Sequence, residues 1–278
     1  MDSLVCTEWL AGELGAADLR IVDASWFLPD AGRDGRSEYE AAHIPGAAFL
    51  DLEAVSDPDS DLPHMLPPAA LFASRIRALG IGDHDRIVVY DNSPLHTAAR
   101  IWWMLRLFGA RQVAILDGGF GKWLAEDRPV ESGSARPRSG HFTPALDAAP
   151  VADKADMLAL DGEAEIVDAR PAVRFRGETP EPRAGLVAGH IPGSRNLPQS
   201  DLFEADGTWK RGEALHKAFE DAGVDLSRPM VTTCGSGVTA AVLLFGAHLL
   251  GKEDVRLYDG SWSEWGADAS TPKATGAA

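Results

Sequence analysis

Part of this chain is spelled twice, and that duplication constrains its fold more than any other feature. Ile21-Val22-Asp23-Ala24-Ser25 returns as Ile166-Val167-Asp168-Ala169-Arg170. His43-Ile44-Pro45-Gly46 returns as His190-Ile191-Pro192-Gly193. Leu116-Asp117-Gly118-Gly119-Phe120-Gly121-Lys122-Trp123 returns as Tyr258-Asp259-Gly260-Ser261-Trp262-Ser263-Glu264-Trp265. The matches keep one order at an offset of about 145 residues. Solenoid repeats run to roughly 20–50 residues, so the duplicated unit here is a whole domain. The 278 residues have room for two such domains. The expected division is an N-terminal domain over 1–130, a linker over 131–150, a C-terminal domain over 151–270 and a flexible tail over 271–278. The stretch from Glu131 to Gly140 has the Ser, Gly and Pro content of a linker.

Within each half, short β-branched runs alternate with longer helical patterns. Arg86–Tyr90 and Pro229–Thr233 read as buried strands, each followed by a helix-like stretch, Ala98–Leu105 or Thr239–Leu244. A second short strand then follows, Val113–Leu116 or Val255–Tyr258. This alternation predicts an α/β fold in which each half is a mainly parallel sheet flanked by helices. Sites in such sheets form outside the carboxyl ends of the strands, where residues 91 and 234 fall.

Composition narrows the partners. A net charge of −16 repels phosphate backbones and anionic lipid heads, so neither nucleic acid nor membrane is expected as a partner. The first residues, Met1-Asp2-Ser3-Leu4-Val5-Cys6, lack the basic start and apolar core of a signal peptide. The longest nearly apolar run, Val238 to Leu250, is shorter than the roughly 18 residues that span a bilayer. A cytoplasmic monomer is the expectation. The 2 cysteines, Cys6 and Cys234, make neither a disulfide framework nor a metal site, and no metal or organic cofactor is expected.

Cys234 opens the loop Cys234-Gly235-Ser236-Gly237-Val238-Thr239 between a strand and a helix. Glycines let successive amide N–H groups turn towards one point, and the helix N-terminus adds positive potential. A thiolate in such a cradle is a nucleophile, and the same amides would hold the outer sulfur of a persulfide anion. The matching position in the first half is Asp91, which has no sulfur chemistry, so the chain has one live loop and the first half is expected to supply supporting residues. Phosphatases and arsenate reductases built on a similar loop clamp oxyanions with an arginine that here is Ala240, and no basic residue lies between Cys234 and His248. A non-enzymatic persulfide carrier or sensor stays open on these residues alone.

The Cys234–Thr239 loop, the doubled His-Ile-Pro-Gly and Asp259-Gly260-Ser261-Trp262 with Glu264-Trp265 resemble the tandem-rhodanese sulfurtransferases, over residues from about 5 to 267. Within that family, thiosulfate-using members carry basic residues just after the cysteine. Members that use 3-mercaptopyruvate carry Cys-Gly-Ser-Gly-Val-Thr, the spelling found here. That difference has a physical sense, because thiosulfate is a dianion that gains from local cations, and Gly235 and Ser236 offer none.

The resemblance implies a persulfide on Cys234, held by a loop of Gly235, Gly237, Val238 and Thr239, with release of pyruvate. Thioredoxin, a small thiol or cyanide would accept the sulfur. A small keto acid needs a fork-like donor for its carboxylate, and Arg174-Phe175-Arg176-Gly177-Glu178-Thr179-Pro180-Glu181-Pro182-Arg183 offers three arginines. The family pattern assigns the clamp to Arg174 and Arg183; Arg176 keeps the ordinary reading of a surface arginine, a solvated charge. It also implies a Ser–His–Asp relay for protons, which falls on Ser236, His64 and Glu53, with glutamate in the aspartate's place. Thiosulfate is the alternative donor. His43 and His190 occur in the half with a thiol and in the half without one, so they read as structural, as do the strand-end Asp23 and Asp168. Asp168 is also a candidate to orient Arg174 or Arg183. Trp102, Trp103, Trp262 and Trp265 read as packing.

Overall fold

The computed structural model describes residues 1–135, 137 and 140–277. Positions 136, 138 and 139 of the expected linker, and 278 of the expected tail, lie outside the described residues. The chain divides into two compact units. The first comprises Met1–Pro58, Leu66–Asp147 and Phe203–Trp209, and the second Asp59–Met65, Ala148–Leu202 and Lys210–Ala278.

In the first unit the elements run β1 (Leu4–Val5), α1 (Thr7–Glu13), β2 (Leu19–Asp23), α2 (Gly35–Ala41), β3 (Ala47–Phe49), α3 (Ala69–Ala78), β4 (Arg86–Tyr90), α4 (Ala98–Leu107), β5 (Gln112–Leu116) and α5 (Gly119–Ala125). The second unit repeats the series with β6 (Val151–Ala152), α6 (Lys154–Ala159), β7 (Glu165–Asp168), α7 (Ala172–Phe175), β8 (Arg195–Asn196), α8 (Gly212–Asp221), β9 (Met230–Thr233), α9 (Ala240–Leu249), β10 (Val255–Tyr258) and α10 (Ser261–Trp265). Both sheets are parallel and share one strand order, β1-β5-β4-β2-β3 and β6-β10-β9-β7-β8. Each unit is thus an α/β domain, as the alternation of runs predicts.

The central strands are buried along nearly their whole length, which explains why they read as unbroken apolar runs. In the first unit Val88, Tyr90, Ala114, Leu10 and Trp123 share one core. In the second, Val231, Tyr258, Met157, Trp262 and Trp265 do the same. Helix α9 is buried from Ala240 to Ala247, and at Gly246 it packs so closely that a Cβ would lie 2.8 Å from Leu202 Cδ1 and push that side chain aside.

The repeated motifs organise backbone at equivalent places. His43 Nδ1 lies 2.7 Å from the Tyr39 carbonyl, its ring stacked on Tyr39, and His190 Nδ1 lies 2.8 Å from the Phe175 carbonyl, stacked on Phe175. The carboxylates of Asp23 and Asp168 accept the amides of Ser25 and Arg170, each at 2.9 Å, just past their strands. Ala274 exchanges two backbone hydrogen bonds with His190. Among the described residues no helix is long and apolar enough to cross a membrane.

Candidate active site

The carboxyl end of β9 delivers Cys234 into the turn before α9. Its free thiol is buried, 2% exposed. The loop is pinned by the first turn of α10. Trp262 N donates to Cys234 O at 3.0 Å, while the Ser263 amide and hydroxyl both donate to Gly235 O, at 2.9 and 2.7 Å. Ser261 Oγ accepts the amides of Cys234 at 3.2 Å and Gly237 at 3.1 Å. Among the described residues, the amides of Gly235, Ser236, Val238 and Thr239 have no protein acceptor. Gly237, at φ +77, supplies the left-handed turn that the loop needs.

The other candidate residues of this unit gather unevenly. His64 lies in the segment Asp59–Met65, which belongs to the second unit, and its Nδ1 is 2.9 Å from Ser236 Oγ with both residues buried. Arg174, in α7, turns Nε and Nη2 towards Glu181, and a Cβ at Gly235 would lie 3.3 Å from Nη2. Arg183 follows Glu181 by two positions and is half-buried. Arg176 pairs at the surface with Glu178. Glu53 belongs to the first unit, where it opens the 3₁₀ turn Glu53–Val55 and accepts the Trp26 indole N–H at 3.0 Å.

Behind Arg174 is a buried ion cluster. Arg170, 1% exposed, grips Asp168 through Nε and Nη2, sends Nη1 to Glu181 at 2.9 Å and Nη2 to Gly189 O at 2.8 Å. Its guanidinium lies 4.6 Å from the Trp262 ring centre. Burial works to lower the Arg170 pKa, but the carboxylates of Asp168 and Glu181, with Cys234 nearby, hold it above the ordinary arginine value. Asp168, a candidate to orient the clamp arginines, is instead occupied by Arg170, and Glu181 is the acid that holds Arg174. Among the described residues no group of three or more His, Cys, Asp or Glu side chains is placed to hold a metal.

The rhodanese-like domain model matches the chain twice, over residues 7–126 and 151–268. The chain belongs to the rhodanese family. A 3-mercaptopyruvate sulfurtransferase of Rattus norvegicus is 45% identical over 271 residues, covering 95% of this chain and 91% of that one. A thiosulfate sulfurtransferase of Cricetulus griseus is 43% identical over 273 residues, with coverage of 95% and 91%. The crystal structure of the 3-mercaptopyruvate sulfotransferase SseA from Escherichia coli superposes with a TM-score of 0.86 at 40% identity, covering 94% of this chain and 99% of that chain.

Comparing the two rhodanese domains shows what distinguishes the half with a thiol. Asp91 fills its own loop, with its carboxylate accepting Ser93 N at 2.9 Å and Ala98 N at 2.7 Å. Burial pushes its pKa up to about 7, against the pull of those two amides. Tyr39 and Phe175 each hand a carbonyl to the motif histidine. The residue before each is Glu38 in the first domain and Arg174 in the second, so the position of Arg174 has the opposite charge where there is no thiol. Position 25 is serine where position 170 is arginine.

Reasoning from sequence passed over Arg170, Glu181 and Ser261. For Arg170 a signal existed, the single mismatch Ser25/Arg170 inside an otherwise matching five-residue repeat; Gly119/Ser261 is one of several differences in its repeat and stood out less. Glu181 carried no such signal, because its partners are set only when the loop folds back on α7.

Proposed function

We propose that this protein is a sulfurtransferase that takes the sulfur of 3-mercaptopyruvate onto Cys234 as a persulfide, releases pyruvate and passes the sulfur to a small thiol, a thioredoxin-like protein or cyanide. The observation that carries the reading is one loop in which a buried thiol shares its turn with four amides that have no protein acceptor among the described residues, with Arg174 Nη2 against Gly235. A bare persulfide carrier has no need of that guanidinium.

The Cys234 thiolate attacks the sulfur of 3-mercaptopyruvate. A sulfur–sulfur bond forms, the carbon–sulfur bond breaks, and its electron pair goes to the methylene carbon, giving the enolate of pyruvate. Arg174 and Arg183 hold the carboxylate and carbonyl, and so stabilise the enolate charge as it develops. The open amides of the loop receive the outer sulfur anion. Ser236 and His64, sharing a hydrogen bond, take the proton of the substrate thiol and return one to the enolate carbon. An acceptor nucleophile then attacks the outer sulfur and restores the Cys234 thiolate. No step here is assigned to Glu53.

The charge around Arg174 bears on the donor. Arg170 and Arg174 are matched by Asp168 and Glu181, so this part of the clamp offers a dianion such as thiosulfate no net positive charge beyond that of Arg183. A monoanionic keto acid instead gains directed hydrogen bonds. The test is to incubate the protein with either donor and weigh it intact. One added sulfur on Cys234, faster from 3-mercaptopyruvate and with pyruvate released, supports the reading. Equal or faster loading from thiosulfate overturns the donor, and no loading from either overturns the persulfide.

A further inference from the structure

Ser261 is wholly buried and holds φ +49, a left-handed conformation that side-chain-bearing residues seldom adopt. Its hydroxyl proton goes to the Tyr258 carbonyl at 2.8 Å, and its oxygen accepts the Cys234 and Gly237 amides at 3.2 and 3.1 Å, with the Thr233 hydroxyl farther off at 3.4 Å. We propose that Ser261 is the positioning residue of the sulfur loop: by taking these two amides it fixes the turn so that the remaining loop amides are free for the outer sulfur. The inference rests on the persulfide reading and names a residue that acts through the loop rather than on substrate.

Two features carry it. The first is the geometry of the peptide planes. In a trans peptide the N–H points opposite to the C=O of the same plane. Trp262 N holds Cys234 O, and Ser263 holds Gly235 O, so both carbonyls face α10. The amides of Gly235 and Ser236 share those planes and therefore point away from α10. Ser261 locks the flanking amides on the near side, and together the three residues sort the loop's donors into two sets, one bonded to protein and one open.

The second is the contrast between the domains. Phe120 N bonds Asp91 O at 2.9 Å, as Trp262 N bonds Cys234 O. The residue before Phe120 is Gly119, at φ +55, and a Cβ there would fall 2.5 Å from Asp91 O. A serine does not fit there, and the first loop is ordered in another way: the Asp91 carboxylate takes the amides of Ser93 and Ala98, and Pro94, three residues after Asp91 as Gly237 is after Cys234, has no N–H to place. Where the side chain at the head of the loop must stay available for sulfur, amide satisfaction comes from the next strand's end instead. Ser261 meets that need at the cost of an unfavourable φ.

The test uses two variants of the full chain. Ser261→Gly removes the hydroxyl and relieves the backbone, since glycine occupies the same φ in the first domain. Ser261→Ala removes the hydroxyl and keeps the strain. In both, kcat for sulfur loading falls on the order of tenfold, KM for 3-mercaptopyruvate stays within about twofold because the arginine clamp is untouched, and the persulfide seen by intact mass decays faster. An unchanged kcat in Ser261→Gly overturns the proposal, as does a loss confined to Ser261→Ala, which would assign the effect to backbone strain. A rise in KM alone overturns it too. The wild-type protein in the same assay separates the two readings: if it takes up no sulfur the persulfide itself fails, whereas loading at equal rates in all three proteins removes only Ser261.

Discussion

Arg170 and Glu181 meet at 2.9 Å with both side chains 1% exposed, and Arg174 is anchored to the far oxygen of the same carboxylate. Arg174 is therefore not a free surface side chain but one held in place by a pair of buried charges. In the clamp proposed above, that anchoring would lower the entropy cost of binding.

Replacing that shared acid tests the arrangement. Glu181→Gln keeps the shape but leaves Arg170 and Arg174 against Asp168 alone, one positive charge in excess. Removing one partner of a buried pair costs roughly 3–5 kcal/mol at worst, and the isosteric amide costs less. The expected result is a melting point a few degrees lower and a KM for 3-mercaptopyruvate raised about tenfold, as one charge-assisted hydrogen bond is loosened, with a smaller change in kcat. Steady-state kinetics beside thermal melts check this, and an unchanged KM would sink the positioning role.

His64 presents the opposite split. It sits at φ +60 against Ser236 Oγ, and asparagine is the substitution that tolerates this backbone while removing the imidazole. In His64→Asn, kcat for pyruvate release should fall between about tenfold and a hundredfold, the range of a lost proton-transfer group. KM should move little. A normal kcat would show that Ser236 needs no partner on its hydroxyl.

Gly235 tests how tightly the clamp fits the loop. A methyl group there would lie 3.3 Å from Arg174 Nη2, a contact that forces the guanidinium aside by a few tenths of an ångström. Gly235→Ala should thus fold normally and raise KM severalfold, since small misplacements at a binding fork are costly. Gly235→Val should do much worse. Equal kinetics for all three would mean that Arg174 does not need its observed position.

Much of this was legible in the sequence, and the exceptions have physical reasons. The strand Arg86–Tyr90 and the helix after Cys234 were readable because buried parallel strands and apolar helices leave unbroken runs. Edge strands β1 and β6 are two residues long, too short for any period to show. Cys234 and its glycines stand out because backbone demands select residue types locally. His64 and Ser236 are 172 positions apart, and only the resemblance to a family paired them. Glu181 was invisible beside three arginines, because which acid neutralises which base depends on how a proline-rich loop closes.

The first domain carries two titrations of opposite sign. Asp91 has its pKa raised by burial, and to a lesser degree by Asp23, from 3.8 to about 7, so the native state binds a proton that the unfolded chain releases. Its contribution to stability is full below about pH 4 and is lost as pH rises to about 7. His96, stacked on Phe203, has its pKa lowered by burial from 6.5 to about 4. Its contribution is full above about pH 6.5 and is lost as pH falls to about 4. Between those limits the slopes oppose each other. Relative to wild type, Asp91→Asn should gain stability as pH rises from 4 to 7, while His96→Asn, which also accepts the local φ of +50, should lose it. Urea unfolding of each variant at several pH values reads the difference, and parallel curves for wild type and Asp91→Asn would show that the carboxyl keeps an ordinary pKa despite its burial.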